Sequence, residues 1–154
     1  MTKILFVCLG NICRSTMAEF VMRDMVNKRG LGKQIVVASA GTSDEEDGNP
    51  VHHGTRRKLA SAGVPVDPNK RARQMTKADY EHYDLLICMD SYNLRNMGRI
   101  CPDTRGKYRM LLDYTGMSRD VADPWYTGDF EATWQDVSRG CAALLDTLKK
   151  EGKL

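Results

Sequence analysis

The sequence predicts an α/β fold, a single domain built on a four-stranded parallel sheet with helices on both faces. Strand-like and helix-like segments alternate from one end of the chain to the other, which is the pattern of a parallel sheet. The first strand-like segment, Ile4 to Leu9, is a continuous apolar run, as expected of a strand covered on both faces. A length of 154 residues, with 42% hydrophobic and 28% charged residues, fits one globular domain over residues 1–154.

The first half of the chain predicts two strands and two helices. The first helix carries apolar residues at helical spacing, and Gly30 is placed to end it. The stretch 41–49 is rich in acidic residues and glycine, which predicts a mobile surface loop. In order, the predicted elements are a strand from Ile4 to Leu9, a helix from Ser15 to Arg29, a strand from Ile35 to Ala40, and a helix with Pro50 in its first turn that ends near Gly63.

The second half begins with extended or turned chain from Gly63 to Asn69, because Pro65 and Pro68 disfavour a helix there. Two further strands and three helices are then predicted, with a loop before the last helix. These elements are a short helix capped by Thr76 and running to Tyr83, a strand from Leu85 to Met89, a helix capped by Asp90 and running to about Arg99, a strand from Tyr108 to Leu112, a loop from Asp113 to Asp129, and an amphipathic helix from Phe130 to Lys150.

Cysteine content and apolar run length bear on where the protein works. The five cysteines are an odd number without C-x-x-C spacing, which argues against a secreted disulfide framework and against a zinc ribbon. No apolar stretch approaches the roughly 18 residues that a membrane span needs. The initial apolar run leads into Gly10, Asn11 and Arg14 without a small-residue cleavage site, so it predicts a strand and not a signal peptide. We therefore expect a cytoplasmic protein without a membrane partner.

The charge pattern does not favour a nucleic-acid partner. Twenty-three basic against 20 acidic residues give a net charge of +3, and aromatic residues are only 7%. Nucleic-acid binders more often carry a larger basic excess with aromatics between the charges. The clusters Arg56-Arg57-Lys58 and Lys70-Arg71-Ala72-Arg73 are thus expected to be solvated surface.

The segment that points to chemistry lies where the first strand gives way to the first helix. We call it the Cys8–Ser15 loop, and it reads Cys8-Leu9-Gly10-Asn11-Ile12-Cys13-Arg14-Ser15. Open α/β sheets bind ligands at such junctions, where backbone N–H groups and the helix dipole favour a phosphate-sized anion. Gly10 and Asn11 are residue types that tolerate left-handed backbone angles in a tight turn.

Cys8 and Arg14 give this loop a nucleophile and an anion clamp. Helix-terminal N–H groups and a nearby arginine stabilise a thiolate over a thiol, so Cys8 should be nucleophilic at neutral pH. Arg14 presents a planar fork to two phosphate oxygens, a geometry that lysine lacks. The loop is neither a Walker loop, because no Gly-Lys-Ser/Thr follows, nor a dinucleotide fingerprint, because the glycines are missing.

These residues resemble a known family. The stretch from Val7 to Ser15, followed by Met17-Ala18-Glu19, is similar to the low-molecular-weight protein tyrosine phosphatases, which have a flavodoxin-like fold of the phosphotyrosine phosphatase I type. The resemblance runs in family order over nearly the whole chain. Its further matches are Ser39-Ala40-Gly41-Thr42, Ala72-Arg73-Gln74, Cys88-Met89-Asp90 with Asn93-Leu94, and Asp123-Pro124-Trp125-Tyr126.

The resemblance implies roles for three catalytic residues. Cys8 would attack the phosphoryl group in line and form a phosphocysteine. Arg14 and the loop amides would stabilise the charge on the equatorial oxygens, so no metal and no cofactor is implied. Asp123 would protonate the departing tyrosyl oxygen and later take a proton from the attacking water, and Pro124 biases Asp123 toward extended backbone.

The same resemblance implies a wider set of supporting residues. Ser15 would ease the departure of the Cys8 sulfur in the second step, and Asn11, Ser15 and Ser39 would brace the loop. A histidine precedes Ala72-Arg73-Gln74 in many members and joins this bracing network, but here Lys70 or Arg71 stands in its place. The substrate-binding set is Leu9, Gly10, Asn11, Ile12, Cys13, Ser15, Trp125 and Tyr126, whose apolar members would sandwich a phenyl ring.

The expected partners are phosphotyrosyl proteins, including a bacterial tyrosine kinase or its substrates. Tyr126 resembles a site that such kinases modify. Glu45 stands where some members have a tryptophan, and its acidic surroundings predict a preference for substrates with basic flanking residues. Cys13 suggests a reversible disulfide with Cys8 that would protect the nucleophile from irreversible oxidation, although it is equally typical of a small apolar filler.

Three alternatives share the fold or the loop. A thioredoxin-coupled arsenate reductase needs two relay cysteines on a mobile segment, for which Cys88 and Cys101 are poorly spaced. A phosphoarginine phosphatase branch of the family carries threonine at the position of Ile12. A phosphate-binding domain without catalysis would need neither a thiolate nor the acid Asp123.

Overall fold

The computed structural model describes all 154 residues and contains a four-stranded parallel sheet in the order β2-β1-β3-β4. The α/β class, the single domain and the parallel sheet are thus confirmed. The last strand ends before the predicted Leu112, because the chain turns there into a 3-10 helix. The strands are β1 (Thr2–Cys8), β2 (Ile35–Gly41), β3 (Leu85–Cys88) and β4 (Tyr108–Met110).

Helices cover both faces of the sheet, as the composition of the two cores shows. Ile4 and Phe6 of β1 point into a larger core shared with α1 (Arg14–Lys28) and α6 (Phe130–Lys150). Leu5 and Val7 point into a smaller core shared with α3 (Lys77–His82) and α4 (Ser91–Ile100). None of these helices combines the length and apolarity needed to cross a bilayer. The helices are α1 (Arg14–Lys28), α2 (His53–Ser61), α3 (Lys77–His82), α4 (Ser91–Ile100), α5 (Pro124–Thr127) and α6 (Phe130–Lys150), with a 3-10 helix at Leu111–Thr115.

The predicted start of the second helix is wrong. Pro50 lies outside α2 and forms an isolated antiparallel bridge with Arg71. The backbone of Ala72 accepts from the N–H of Gly48 and donates to the carbonyl of Asn49. These bonds hold residues 48–50 beside residues 71 and 72, so the chain is extended at Pro50. The helix begins only after His52.

The predicted loop from Asp113 to Asp129 is also wrong in part. The 3-10 helix continues into its beginning, and α5 forms near its end. Two local features produce α5, because Asp123 caps the helix by accepting from the N–H of Trp125 and Pro124 occupies the first helical turn. This one-turn helix fixes where the residues after Asp123 project.

The sheet order sets the position of the Cys8–Ser15 loop. From β1 the chain crosses to β2 on one side and later to β3 on the other, so the strand order reverses at β1. Ligands of open α/β sheets bind beyond the carboxyl ends of the strands at such a reversal. The loop leaves β1 at this point and runs into α1.

Candidate active site

The Cys8–Ser15 loop turns back on its first residue. Asn11 is the only non-glycine residue with a positive φ, at 58°, and its backbone N–H donates to Cys8 Sγ over 3.3 Å. Of the two residues expected to tolerate a left-handed angle, Gly10 and Asn11, only Asn11 adopts one. The hydroxyl of Ser15 lies 3.0 Å from the same sulfur. Cys8 is buried at the floor of the loop, with the Asn11 N–H directed at its sulfur.

Arg14 is buried, and three of the five N–H donors of its guanidinium have protein partners. Nη1 donates to Asp90 Oδ2 at 2.7 Å and to the carbonyl of Val121 at 2.9 Å, while Nη2 donates to Asp123 Oδ2 at 3.3 Å. Burial opposes the charge on Arg14. The negative charges of Cys8, Asp123 and Asp90 nevertheless hold its pKa above the ordinary value. Arg14 is therefore a fixed cation at the site.

Asp123 reaches the site from the turn before α5. One carboxylate oxygen caps α5 through the N–H of Trp125 at 3.1 Å, and the other meets Arg14. The carboxylate is about one-fifth exposed, so it is open to a substrate that enters the cleft. Asp123 thus lines the same cleft as Cys8 and Arg14, although it is far from them in the sequence.

A cleft of about 140 Å³ opens above the sulfur. Leu9 and Ile12 contribute to one part of its lining, and the largely exposed Trp125 and Tyr126 contribute apolar rings from α5. This arrangement suits a flat aromatic group that leads to an anion at the floor. The full lining is Cys8, Leu9, Gly10, Ile12, Cys13, Arg14, Ser43, Glu45, Glu46, Asp123, Trp125 and Tyr126.

Asn11 and Ser15 do not line the cleft, although the sequence placed them among the substrate-binding residues. Both side chains are buried behind Cys8. The amide nitrogen of Asn11 donates to Ser15 Oγ at 2.8 Å and to Ser39 Oγ at 2.9 Å. Its amide oxygen accepts from the backbone N–H of Arg73 at 3.1 Å. The two residues therefore contact the loop and its supports and do not face the cleft.

Other residues of the site were missed by the sequence analysis. Asp90 was predicted only as a helix cap, and it both caps α4 through Asn93 and binds Arg14. Glu19 was matched only as part of a motif, but its buried carboxylate accepts from Ser39. The family match Cys88-Met89-Asp90 was the sequence signal for the contact of Asp90 with Arg14. The match Met17-Ala18-Glu19 was the signal for the contact of Glu19 with Ser39.

Cys13 lines the same cleft as Cys8. Burial, reinforced by the negative charge of Cys8, raises the pKa of Cys13 to about 12. Cys13 is therefore a thiol at neutral pH. Its carbonyl accepts from the hydroxyls of Thr16 and Thr55, which attach the loop to α1 and α2.

The family model described as low molecular weight phosphotyrosine protein phosphatase matches residues 3–154. The chain is 41% identical to the low molecular weight protein-tyrosine-phosphatase YfkJ of Bacillus subtilis, over the full length of both. It is 37% identical to PtpA of Staphylococcus epidermidis, covering all of this chain and 98% of that one.

Solved structures agree with these relatives. The crystal structure of YfkJ superposes with a TM-score of 0.94 over 98% of this chain and 96% of that chain. The phosphatase SP-PTP of Streptococcus pyogenes, also 41% identical, gives a TM-score of 0.87 over 96% of this chain and 93% of that chain.

Fold and site together define an α/β protein with a cysteine and an arginine in the loop at the carboxyl end of an inner strand of its parallel sheet. With the match over residues 3–154, the chain belongs to the low molecular weight phosphotyrosine protein phosphatase family.

Proposed function

We propose that this chain is a protein-tyrosine phosphatase in which Cys8 is the nucleophile, Arg14 the anion clamp and Asp123 the general acid and base. One observation carries the proposal. The Cys8 sulfur lies at the floor of a cleft whose lining includes both Arg14 and Asp123, and the latter two are joined by a hydrogen bond of 3.3 Å. A noncatalytic anion site would need neither a thiol at its floor nor an exposed acid at its rim.

In the first step the Cys8 thiolate attacks phosphorus and the bond to the tyrosyl oxygen breaks. The S–P bond that forms holds the phosphoryl group as a phosphocysteine, and protonated Asp123 gives its proton to the phenolate that leaves. Arg14 and the loop N–H groups stabilise the charge on the equatorial oxygens. Because Asp90 and the Val121 carbonyl hold Nη1 of Arg14, the clamp is oriented before the substrate arrives.

In the second step water attacks the phosphocysteine. Asp123, now a carboxylate, takes a proton from the water, the S–P bond breaks, and phosphate and the thiolate are released. The Ser15 hydroxyl, 3.0 Å from the sulfur, stabilises the departing thiolate by donating to it. No step requires a metal or a cofactor.

The lining of the cleft supports an aromatic phosphoester over its rivals. Leu9, Ile12 and Trp125 offer apolar surface to a phenyl ring, which a phosphoserine side chain lacks. Ile12 also argues against the phosphoarginine branch, in which the resemblance places threonine. Arsenate reduction is disfavoured because Cys88 is fully buried in β3 and unsuited to a mobile relay.

Three further features belong to the proposal. Residues 1–154 form the one phosphatase domain, and the enzyme works in the cytoplasm on phosphotyrosyl proteins, among them a bacterial tyrosine kinase or its substrates.

Peroxide would convert the Cys8 thiolate to a sulfenic acid, and the Cys13 thiol would then displace water to form a disulfide that thiols reduce. Peroxide-treated protein that contains no Cys8–Cys13 linkage and does not recover with thiol would exclude this protection.

The deciding experiment measures phosphate release from a phosphotyrosyl peptide in excess EDTA, with phosphoseryl and phosphoarginyl peptides as controls. We expect wild type to act on the tyrosyl peptide alone, Cys8→Ser to be inactive, and Asp123→Ala to be slower by about 10² to 10⁴-fold, the usual contribution of a general acid. Cys8→Ser should still bind vanadate or phosphate. Folded wild type that releases no phosphate from the tyrosyl peptide would refute the proposal.

A further inference from the structure

A buried ion cluster lies behind the Cys8–Ser15 loop and outside the cleft. The Glu19 carboxylate, only 5% exposed, contacts two cations from different parts of the chain. Arg23, one turn along α1, donates to Oε2 at 2.6 Å, and Lys70 Nζ lies 3.2 Å from Oε1. Two opposite charges stabilise the ionised form of a buried carboxylate, which is otherwise costly in such a place.

The hydrogen bonds between Glu19 and the Cys8 sulfur form one continuous chain through Ser39, Asn11 and Ser15. A carboxylate only accepts, so the hydroxyl proton of Ser39 points to Glu19 Oε1, at 2.5 Å. Ser39 Oγ must then accept from the amide of Asn11, whose second N–H donates to Ser15 Oγ. The hydroxyl proton of Ser15 is thereby left free to donate to the sulfur at 3.0 Å.

Lys70 joins this chain at two points. Its ammonium, 14% exposed, contacts Glu19 and also donates to the carbonyl of Ser39 at 2.9 Å. An ammonium has three donors and no acceptor, so it cannot reverse the direction of the chain. Because Lys70 binds both the carboxylate and the β2 backbone that carries Ser39, it sets the distance across which Ser39 reaches Glu19.

We propose that Lys70 is a positioning residue for catalysis, which acts through Glu19, Ser39 and Asn11 to hold the Ser15 hydroxyl as a donor to the Cys8 sulfur. This inference deepens the proposed function and rests on it. Arg71, the next residue, is a suitable contrast because its side chain is exposed and donates only to the carbonyls of Pro68 and Lys70.

The test compares Lys70→Met, Lys70→Gln and Lys70→Arg with the control Arg71→Met. The readout is the rate at which iodoacetamide alkylates Cys8 as pH varies, since only the thiolate reacts. We expect Lys70→Met and Lys70→Gln to move the half-maximal rate to higher pH and to lower kcat by roughly tenfold, the order of one lost charge-assisted hydrogen bond. Lys70→Arg should restore both properties, and Arg71→Met should leave them unchanged.

A second comparison tests the route through Ser39. Ser39→Ala breaks the chain while leaving the Lys70 contact with Glu19, so it should produce the same alkylation shift. The double variant Lys70→Gln with Ser39→Ala should then be no worse than either alone. Additive effects would overturn the route, and a Lys70→Gln protein with the wild-type alkylation profile would overturn the role of Lys70, whatever its melting temperature.

The alkylation assay needs no substrate, which separates the two proposals. Wild-type protein without phosphotyrosyl turnover would refute the proposed function, while the dependence of Cys8 reactivity on Lys70 would still be measured. Wild type with full turnover and variants with unchanged alkylation and kcat would refute only the positioning role.

Discussion

Gly41 shows how closely single residues are fitted around the Cys8–Ser15 loop. A methyl group at this position, the last residue of β2, would lie 2.7 Å from the Leu9 carbonyl oxygen and 3.2 Å from the Asn11 nitrogen. Both atoms belong to the backbone of the Cys8–Ser15 loop, which cannot rotate away as a side chain can. The family match Ser39-Ala40-Gly41-Thr42 signalled that this glycine matters, and the contact supplies the reason.

Gly41→Ala should therefore displace the loop. We expect the free energy of unfolding to fall by about 2 kcal/mol, as overpacking of a tight site usually costs, and kcat/KM to fall by about 100-fold, since a displacement of about 1 Å is enough for that loss. Gly98→Ala is the matched control. Gly98 lies within α4 with nothing within 4 Å of the added methyl group, so the change should stabilise the protein by about 0.5 kcal/mol and leave activity intact. Equal activity of the two variants would contradict the argument.

The residues that carry the chemistry differ in how well sequence revealed them. Cys8 and Arg14 lie in one short motif at a strand end, where geometry follows from the local sequence alone. Asp123 required the family pattern, because an Asp-Pro pair in a loop has no chemistry of its own. The contacts of Lys70 with Glu19 and Ser39 join three separate segments, and no local pattern specifies that meeting.

At the scale of elements, α2 is joined to the cleft through its cap, His52. The side-chain Nδ1 accepts from the N–H of Gly54 at 3.0 Å, and the backbone N–H donates to the Ile12 carbonyl at 2.9 Å. The ring also packs edge-on against Trp125, with centroids 5.7 Å apart. One residue thus connects the start of α2, the loop and α5.

The capping role predicts a pH dependence of stability. Burial, with the nearby charges of His53 and Arg56, lowers the pKa of His52. Between that lowered value and the ordinary value of about 6.5, the unfolded chain binds more protons than the folded one. The contribution of neutral His52 to stability is therefore complete above about pH 6.5. This contribution is lost as the pH falls from there through the pKa of His52 in the folded chain.

His52→Asn isolates this contribution, because asparagine also accepts at a helix N-cap and does not titrate. Urea unfolding of wild type and variant from about pH 8 to pH 5 should show wild type losing stability relative to the variant below about pH 6.5. The exposed His82 offers the same replacement as a control. A difference between wild type and His52→Asn that is independent of pH would contradict the assignment.

Elements were predicted best where hydrophobic pattern alone decides them. The first three strands and the helix Phe130–Lys150 follow from apolar runs and periodicity, and all of them contribute residues to the larger core. The start of α2 depends instead on a bridge between Pro50 and Arg71. Local helix propensity cannot predict this bridge, because the two residues are far apart in sequence. The prediction of a loop through α5 missed the Asp123 cap followed by Pro124, a helix start that was visible in the sequence.

At the scale of the whole molecule, charge is distributed unevenly around the cleft. The chain carries a net charge of +3, yet the loop beside the site holds Asp44, Glu45, Glu46 and Asp47 in succession, and two of these line the cleft. The Arg14 cation at the floor is already opposed by Asp90 and Asp123. A peptide that reaches the cleft therefore meets negative charge along its flank.

This distribution predicts a preference for phosphotyrosyl peptides with basic flanking residues. Glu45→Gln should lower kcat/KM for a peptide with lysine beside the phosphotyrosine by roughly threefold, the worth of one exposed charge pair, and barely change it for a neutral peptide. Glu151→Gln, which changes net charge equally near the far end of α6, is the control. Because exposed charges are screened, the lysine preference should shrink as salt rises. Equal turnover of acidic and basic peptides by wild type at low salt would show that the acidic loop does not select the substrate, and that the cleft recognises the phosphotyrosyl group alone.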